Sequence, residues 1–274
     1  MTPSTHMKLN HVENLGYKTD LMLLSWDAVL TEHPDHITAL TPTNPSYHWG
    51  NFILFDEPPR PETSARWLEL FDAEIARKQP TRHVAIGWTD EAPGDPSALV
   101  EHGLVPFDSV VLWAPRLTRP RHLRQDLEVR VLQTDEEWER ACALQIMSRD
   151  AHYDLEGYTE FKTAQMKRYR AIAERGHGAW FGAFIDDQLV GDMGIFVRWG
   201  TARYQSVETH PDFRRQGICQ TLLWRAAEWS SRRHEIEQIV IAAEPGAPAE
   251  RIYRSVGLTN ASRQYGLHRW DGAA

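Results

Sequence analysis

Cysteine is nearly absent from this chain. Cys142 and Cys219 are the only two in 274 residues. Two thiols without framework spacing exclude a disulfide-stapled scaffold and fit a reducing, cytoplasmic compartment. Long apolar runs are missing too: none approaches the ~20 residues that cross a bilayer, so no membrane association is expected. The opening Met-Thr-Pro-Ser-Thr-His-Met lacks the basic-then-apolar pattern of a signal peptide. The thirteen histidines are scattered, with no His-x-x-x-His pair, and no metal is expected. Positive charge is in the minority, 30 Lys and Arg against 38 Asp and Glu, for a net charge of −8. That balance argues against a nucleic-acid partner held by bulk electrostatics. What remains is ordinary for an enzyme. A hydrophobic content of 42% supports a real core, and the length fits one large domain or two of common size. Most of the eleven tryptophans are assigned to packing.

Residues 207–219 are the most informative stretch: Val-Glu-Thr-His-Pro-Asp-Phe-Arg-Arg-Gln-Gly-Ile-Cys. They read as a strand end, a Pro turn, and a basic, Gly-containing loop opening into a helix. Helix N-termini leave backbone N–H groups unpaired, and the helix dipole adds partial positive charge there. Arg214 and Arg215 add full charges, and Gly217 lets a ligand approach the backbone. Such a construction traps phosphate and points to a diphosphate-bearing cofactor.

The segment 114–124 is basic, proline-broken and weakly periodic, and reads as a linker. After it the elements follow cleanly. A strand at 127–132 leads to a helix capped by Thr134, with Glu137 completing a capping box. This helix carries Trp138, Ala141, Leu144 and Gln145 at helical spacing. A second helix is expected over about 159–173. Strands at 179–185 and 189–199 form a hairpin about Asp186-Asp187. A third strand at 201–209 ends at the basic loop, and a helix over 216–231 follows. Then come a strand at 238–243, a helix from Pro248 to Val256 stopped by Gly257, and a last strand at 262–270. The order is β-α-α-β-β-β-α-β-α-β.

This order, with the basic loop between the fourth strand and the third helix, resembles the GNAT-type N-acetyltransferase fold. The loop follows that family's Arg/Gln-x-x-Gly-x-Gly/Ala pattern through Arg214, Gly217 and position 219. The second mark is Ile252-Tyr253-Arg254-Ser255-Val256-Gly257-Leu258, a Tyr shortly before a Gly-aliphatic pair. The resemblance covers about residues 126–274. There are two departures. Position 219 is Cys rather than Gly or Ala, and Glu244-Pro-Gly-Ala-Pro248 lacks the Asn that many relatives place against the pantetheine arm.

Sliding the chain on itself by 154 residues aligns the halves without gaps. Tyr47–Phe55 falls on Thr201–Thr209, Thr63–Arg77 on Gly217–Ser231, His83–Trp88 on Glu237–Ala242, and Glu101–Leu104 on Ser255–Leu258. The expected fold class is therefore α/β (α+β): two tandem GNAT-type folds, each a mixed, mostly antiparallel sheet flanked by helices. Residues 1–120 form a degenerate copy and 126–274 an active one. The first copy has lost the chemistry. Its loop, Asp56-Glu-Pro-Pro-Arg-Pro-Glu-Thr63, puts Thr63 at the position of Gly217 and prolines where N–H donors are needed. Leu99 stands at the position of Tyr253.

The resemblance implies an acyltransferase that moves an acetyl group from acetyl-CoA to the amine of a small molecule or peptide, by direct attack in a ternary complex. Backbone N–H groups of residues 215–219 (Arg215, Gln216, Gly217, Ile218 and Cys219), with Arg214, would hold the pyrophosphate. Val207, Glu208 and Thr209 would offer strand-edge hydrogen bonds to the pantetheine amides. Tyr253 is the candidate general acid, since a phenol near pKa ~10 is protonated at neutral pH. Glu208 is the candidate general base; Glu244 and Asp192 are weaker options, Asp192 reading as an exposed strand side chain. The segment 149–158, aromatic and acidic, would shape the acceptor pocket and suit an amine-bearing substrate. Cys219, at a helix start beside arginines, has a setting that can lower a thiol pKa, but no His partner is near it and covalent catalysis is not expected. Two other readings stay open, a non-catalytic acyl-CoA sensor or scaffold and an acyltransferase using a longer acyl-CoA. A monomer and a homodimer are both compatible with the tandem arrangement.

Overall fold

The elements follow from alternation of apolar and polar residues, and each sheet face has its own helices. The computed structural model describes residues 7–151 and 153–270. The first half contains α1 (Leu15–Leu24), β1 (Val29–Glu32), β2 (His36–Leu40), β3 (Phe52–Phe55), α2 (Pro61–Phe71), β4 (His83–Trp88), α3 (Ser97–Glu101) and β5 (Val105–Ala114). The second contains β6 (Glu128–Val131), α4 (Asp135–Met147), α5 (Leu155–Glu174), β7 (Gly178–Ile185), β8 (Gln188–Arg198), β9 (Thr201–Thr209), α6 (Ile218–Ser231), β10 (Gln238–Ala243), α7 (Pro248–Ser255) and β11 (Asn260–Trp270). No helix among the described residues is long and apolar enough to cross a membrane.

The chain divides into two compact units. One takes the residues up to Val111 together with those from Ser262 on; the other takes Leu112–Ala261. The last strand thus goes with the first unit, not with the 126–274 stretch expected from sequence. The reason is pairing: β11 runs antiparallel to β4 from Tyr265↔Trp88 to Trp270↔His83. The Tyr17 hydroxyl donates to the Tyr265 carbonyl at 2.5 Å, and Gln264 Nε2 donates to Asp20 at 2.7 Å.

In the first unit β1, β2 and β3 pair antiparallel, and β3 pairs parallel with β4. Strand alternation divides the core. Ile53 and Phe55 turn to Trp67 and Phe71 of α2, while Phe52 and Leu54 turn to Tyr17 and Leu21 of α1. Phe55 stacks on Trp67 at 4.0 Å between ring centroids. The expected strand at 47–55 is shorter than supposed: His48–Gly50 form a 3-10 turn before β3.

The second unit repeats the pattern. Strands β6 to β9 pair antiparallel in sequence order, and β9 pairs parallel with β10. Trp180 faces Tyr169 of α5 and Trp138 of α4, while Phe181 faces Trp229 of α6. The Thr134 hydroxyl accepts from Glu137 N–H at 3.2 Å, and Glu137 accepts from Thr134 N–H at 3.2 Å, so the capping box forms as expected. α5 starts four residues earlier than expected because Asp154 caps it, accepting from Gly157 N–H at 2.7 Å. The parallel pairs Ile53↔Ile86 and Arg203↔Val240 show that a shift of 154 residues fits β4 on β10. Strand β3 is offset by four residues from that shift.

Candidate active site

Strand β9 sets the site. Its parallel register with β10 ends at Arg203↔Val240. Beyond that point the side of β9 facing β10 has no paired strand among the described residues, through Val207 and Thr209. The other side stays paired with β8, Asp192↔Glu208 and Gly191↔Thr209. Between Asp192 and Gly194 the register slips, and β9 carries one extra residue. Ser206 takes that bulge with φ 46°. The splay and the bulge together expose strand backbone beside the loop that follows.

That loop turns through a short 3-10 segment, Pro211–Phe213, into α6. Arg215 (φ 60°) and Gly217 (φ 77°) are both left-handed, and Gly217 is the N-cap. The helix was expected from Gln216 and starts at Ile218, which leaves Gln216 and Gly217 in the turn. The first main-chain bond at this end runs from Thr221 N–H to the Gly217 carbonyl at 3.2 Å, so the amides ahead of it point out of the helix. Left-handed residues alternating in such a turn gather N–H groups into an anion-binding concavity. Arg214, Arg215 and Gln216 are exposed, while the Ile218 side chain is buried and anchors the helix. Arg124 donates to Gln216 Oε1 at 2.7 Å and is held by Asp126. This arginine, read only as linker from the sequence, adds a third cation at the turn.

Tyr253 is buried on α7, and that burial first, with the Glu208 carboxylate nearby, holds its phenol well above the usual range. It is protonated at any neutral pH, as an acid must be. α7 ends at Gly257 (φ 98°), where a Cβ would lie 2.7 Å from Thr118 Oγ1. Only glycine fits, and Leu258 N–H bonds back to the Tyr253 carbonyl at 3.3 Å.

Glu208 is half-buried, and burial raises its carboxyl; Lys162 and Arg214 oppose the rise. Its surroundings include two groups that the sequence did not assign. Lys162 is buried on α5, and burial lowers its ammonium against the opposing pull of Glu208. Gln145, on α4, donates to Asp192 Oδ1 at 2.6 Å. The signal for Lys162 was present in the sequence: it lies four residues before Met166 and seven before Tyr169, on the buried stripe of the helix.

Two expectations are corrected. Asp192 is fully buried rather than exposed, because the bulge in its partner strand and the Trp180 and Gln145 donors hold it inside. Burial raises its carboxyl far above the usual carboxylate range. The Cys219 thiol is not lowered by neighbouring arginines but pushed up to about 12, by burial first and Glu208 second. Glu244 is exposed at the end of β10. In the 149–158 segment Tyr153 and Tyr158 lie 5.7 Å apart, and Tyr158 feels the Glu208 charge; His152 is outside the described residues. Two surface cavities of about 590 and 740 Å³ open elsewhere, near Val131, Trp229 and Arg233. No group of three or more His, Cys, Asp or Glu among the described residues is arranged to hold a metal.

Comparison with known proteins adds to this geometry. Residues 141–258 match the model of the acetyltransferase (GNAT) family, a family that uses acetyl-CoA. No curated protein matches the chain. Among solved structures, a functionally unknown conserved protein from Staphylococcus epidermidis is similar, with a TM-score of 0.72 at 13% identity, covering 89% of this chain and 94% of that one. A GCN5-related N-acetyltransferase from Kribbella flavida has a TM-score of 0.65 at 17% identity, covering 95% and 97%. A tandem GNAT protein from the clavulanic acid biosynthesis pathway has a TM-score of 0.53 at 15% identity, covering 98% of each chain. These likenesses establish the fold along the whole chain.

Proposed function

We propose that this chain, whose residues 141–258 match the acetyltransferase (GNAT) family, acetylates the amine of a small molecule or peptide, using acetyl-CoA bound in the Leu112–Ala261 unit. One observation carries the reading: the splayed edge of β9 runs directly into the left-handed turn at Arg215 and Gly217, with Glu208 and Tyr253 beside it. Backbone amides of Arg215, Gln216, Gly217, Ile218 and Cys219 would receive the diphosphate, assisted by Arg214. The main chain at Val207 and Thr209, on the side of β9 without a paired strand among the described residues, would pair with the pantetheine amides, the Thr209 carbonyl giving up the Arg214 Nε donor it holds at 3.3 Å.

In the reaction a neutral amine attacks the thioester carbonyl, forming the C–N bond. The tetrahedral intermediate then collapses, breaking the C–S bond. Glu208 takes the proton lost by the nitrogen, and Tyr253 gives one to the departing thiolate. Oriented backbone N–H groups on β9 would stabilise the oxyanion. The scarcity of cysteine supports a reducing, cytoplasmic setting.

The test joins calorimetry with CoA to an acceptor screen of amines and amino acids, read by thiol release from acetyl-CoA. Expected are a CoA binding isotherm, a raised melting temperature, and release of thiol that depends on one class of amine. A chain that gives no heat and no change in melting temperature with CoA or its acyl derivatives does not have this function.

A further inference from the structure

Glu208 has neighbours that acetyl transfer as described leaves unused. Gln145 is their hub. Its amide nitrogen donates to Asp192 Oδ1 at 2.6 Å and to the Ser206 carbonyl at 2.8 Å, which uses both hydrogens. Its carbonyl accepts from Lys162 Nζ at 3.5 Å, and Lys162 also donates to Gln165 at 2.8 Å. Trp180 Nε1 gives Asp192 Oδ1 a second donor at 3.1 Å. A single side-chain amide therefore ties together three things. It holds the carboxyl paired across the sheet from Glu208, a buried cation in reach of Glu208, and the bulge carbonyl two residues before it.

Burying an ion is costly, and apolar residues of like volume often serve a core better. Lys162 stands on the apolar stripe of α5, against the Tyr158 and Phe161 rings at 5.6 and 5.3 Å, where a methionine would pack. The two carboxyls, Asp192 and Glu208, are adjacent. Asp192 Oδ2 is fully buried and has no hydrogen-bond partner among the described residues, a placement that suits a protonated oxygen better than a charged one. With Asp192 neutral, the negative charge falls to Glu208 alone.

Resting on the acetyl-transfer reading, we propose that Gln145, Lys162 and Asp192 are positioning residues for Glu208. They fix its backbone at the bulge and arrange charge so that Glu208 receives the proton of the acceptor amine. The charged and titratable groups in reach of Glu208 are Lys162 and Tyr158 from α5, Arg214 from the loop, Asp192 from β8, Cys219 from α6 and Tyr253 from α7. Of these, Lys162 and Arg214 favour the carboxylate.

The test follows the Glu208 carboxyl directly in the full-length protein labelled with ¹³C at glutamate carboxyls, its signal assigned by loss in E208Q. In K162M the titration midpoint should rise by about one pH unit or more, as expected for removal of a nearby opposite charge. K162R should restore the wild-type midpoint. K162Q, which keeps polarity without charge, should behave as K162M does and carries the test where K162M does not fold. Midpoints that stay within about 0.3 unit of wild type in folded K162M or K162Q, well short of the shift expected, overturn the network. CoA calorimetry on the same samples separates the two ideas: bound CoA with an unmoved Glu208 sinks only the network, while absent CoA binding sinks the acetyl-transfer reading itself.

Discussion

Asp192 on β8 and Glu208 on β9 are direct partners across an antiparallel pair, so two carboxyls share one face of the sheet. Both are raised by burial, Asp192 more completely. For Asp192 the consequence for stability has a definite sign. Its folded pKa lies above its unfolded value, so the folded state holds a proton that the unfolded state has lost, and stability falls as pH rises between the two. Asn keeps an oxygen for the Gln145 and Trp180 donors and never ionises. The melting temperature of D192N relative to wild type should therefore climb steadily from pH 5 to pH 8. Melts at four pH values in that window check it; a difference that is flat or falling contradicts a protonated Asp192.

Gly217 is left-handed, and a Cβ there would meet only the Gln220 side chain, at 3.3 Å. The structural cost of G217A is therefore that of the dihedral, about 1 kcal/mol. The added methyl stands where a ligand must approach the turn, so CoA affinity should fall about tenfold or more, worth ~1.4 kcal/mol or more. Calorimetry and thermal melts on one preparation measure both, and unchanged CoA affinity would move the diphosphate away from this turn.

Tyr253 should be separable from binding. Its hydroxyl is buried and kept protonated by its surroundings, so Y253F removes a proton donor while keeping the ring in place. Turnover should drop by roughly a hundredfold, the usual worth of a positioned acid, with CoA affinity within about twofold, well under 1 kcal/mol. A protein that only senses acyl-CoA would have no turnover to lose.

Cys219 offers a test of local electrostatics. Two arginines precede it, yet burial and the Glu208 carboxylate push its thiol up to about 12. Carbamidomethylation at pH 8, followed by mass spectrometry, should be at least about tenfold slower at Cys219 than in a small free thiol. Fast labelling would mean that the helix end and the arginines dominate after all.

Much of the fold was legible because the signals were local. The hairpin at Asp186-Asp187 shows up in two adjacent acidic residues that tolerate positive φ, 46° and 65°, and the Thr134–Glu137 capping box is written in the chain. The turn at Arg215 and Gly217 follows from glycine and a helix start. The site's interior was less legible. That Asp192 is buried depends on a bulge at Ser206, and no composition rule places a bulge there. That the chain's last strand joins β4 is a long-range pairing, and the order of elements alone could not choose it.

The first unit should take no CoA. The 154-residue shift sets Thr63 on Gly217, but the structure makes Arg60 the N-cap of α2, as Gly217 is of α6, and the Thr63 hydroxyl, three residues in, accepts from the Arg60 N–H at 3.1 Å, closing the helix start. The prolines at 58, 59 and 61 supply no N–H, and Arg60 is paired with Glu57. An anion arriving there would find few donors and a carboxylate beside the one cation. Leu99, fully buried, offers no acid in place of Tyr253. Calorimetry of the full chain should therefore give a single CoA per chain, and G217A should weaken that one site without uncovering another. A stoichiometry near two, with half of it surviving G217A, would show that the N-terminal copy still binds the cofactor through some other construction.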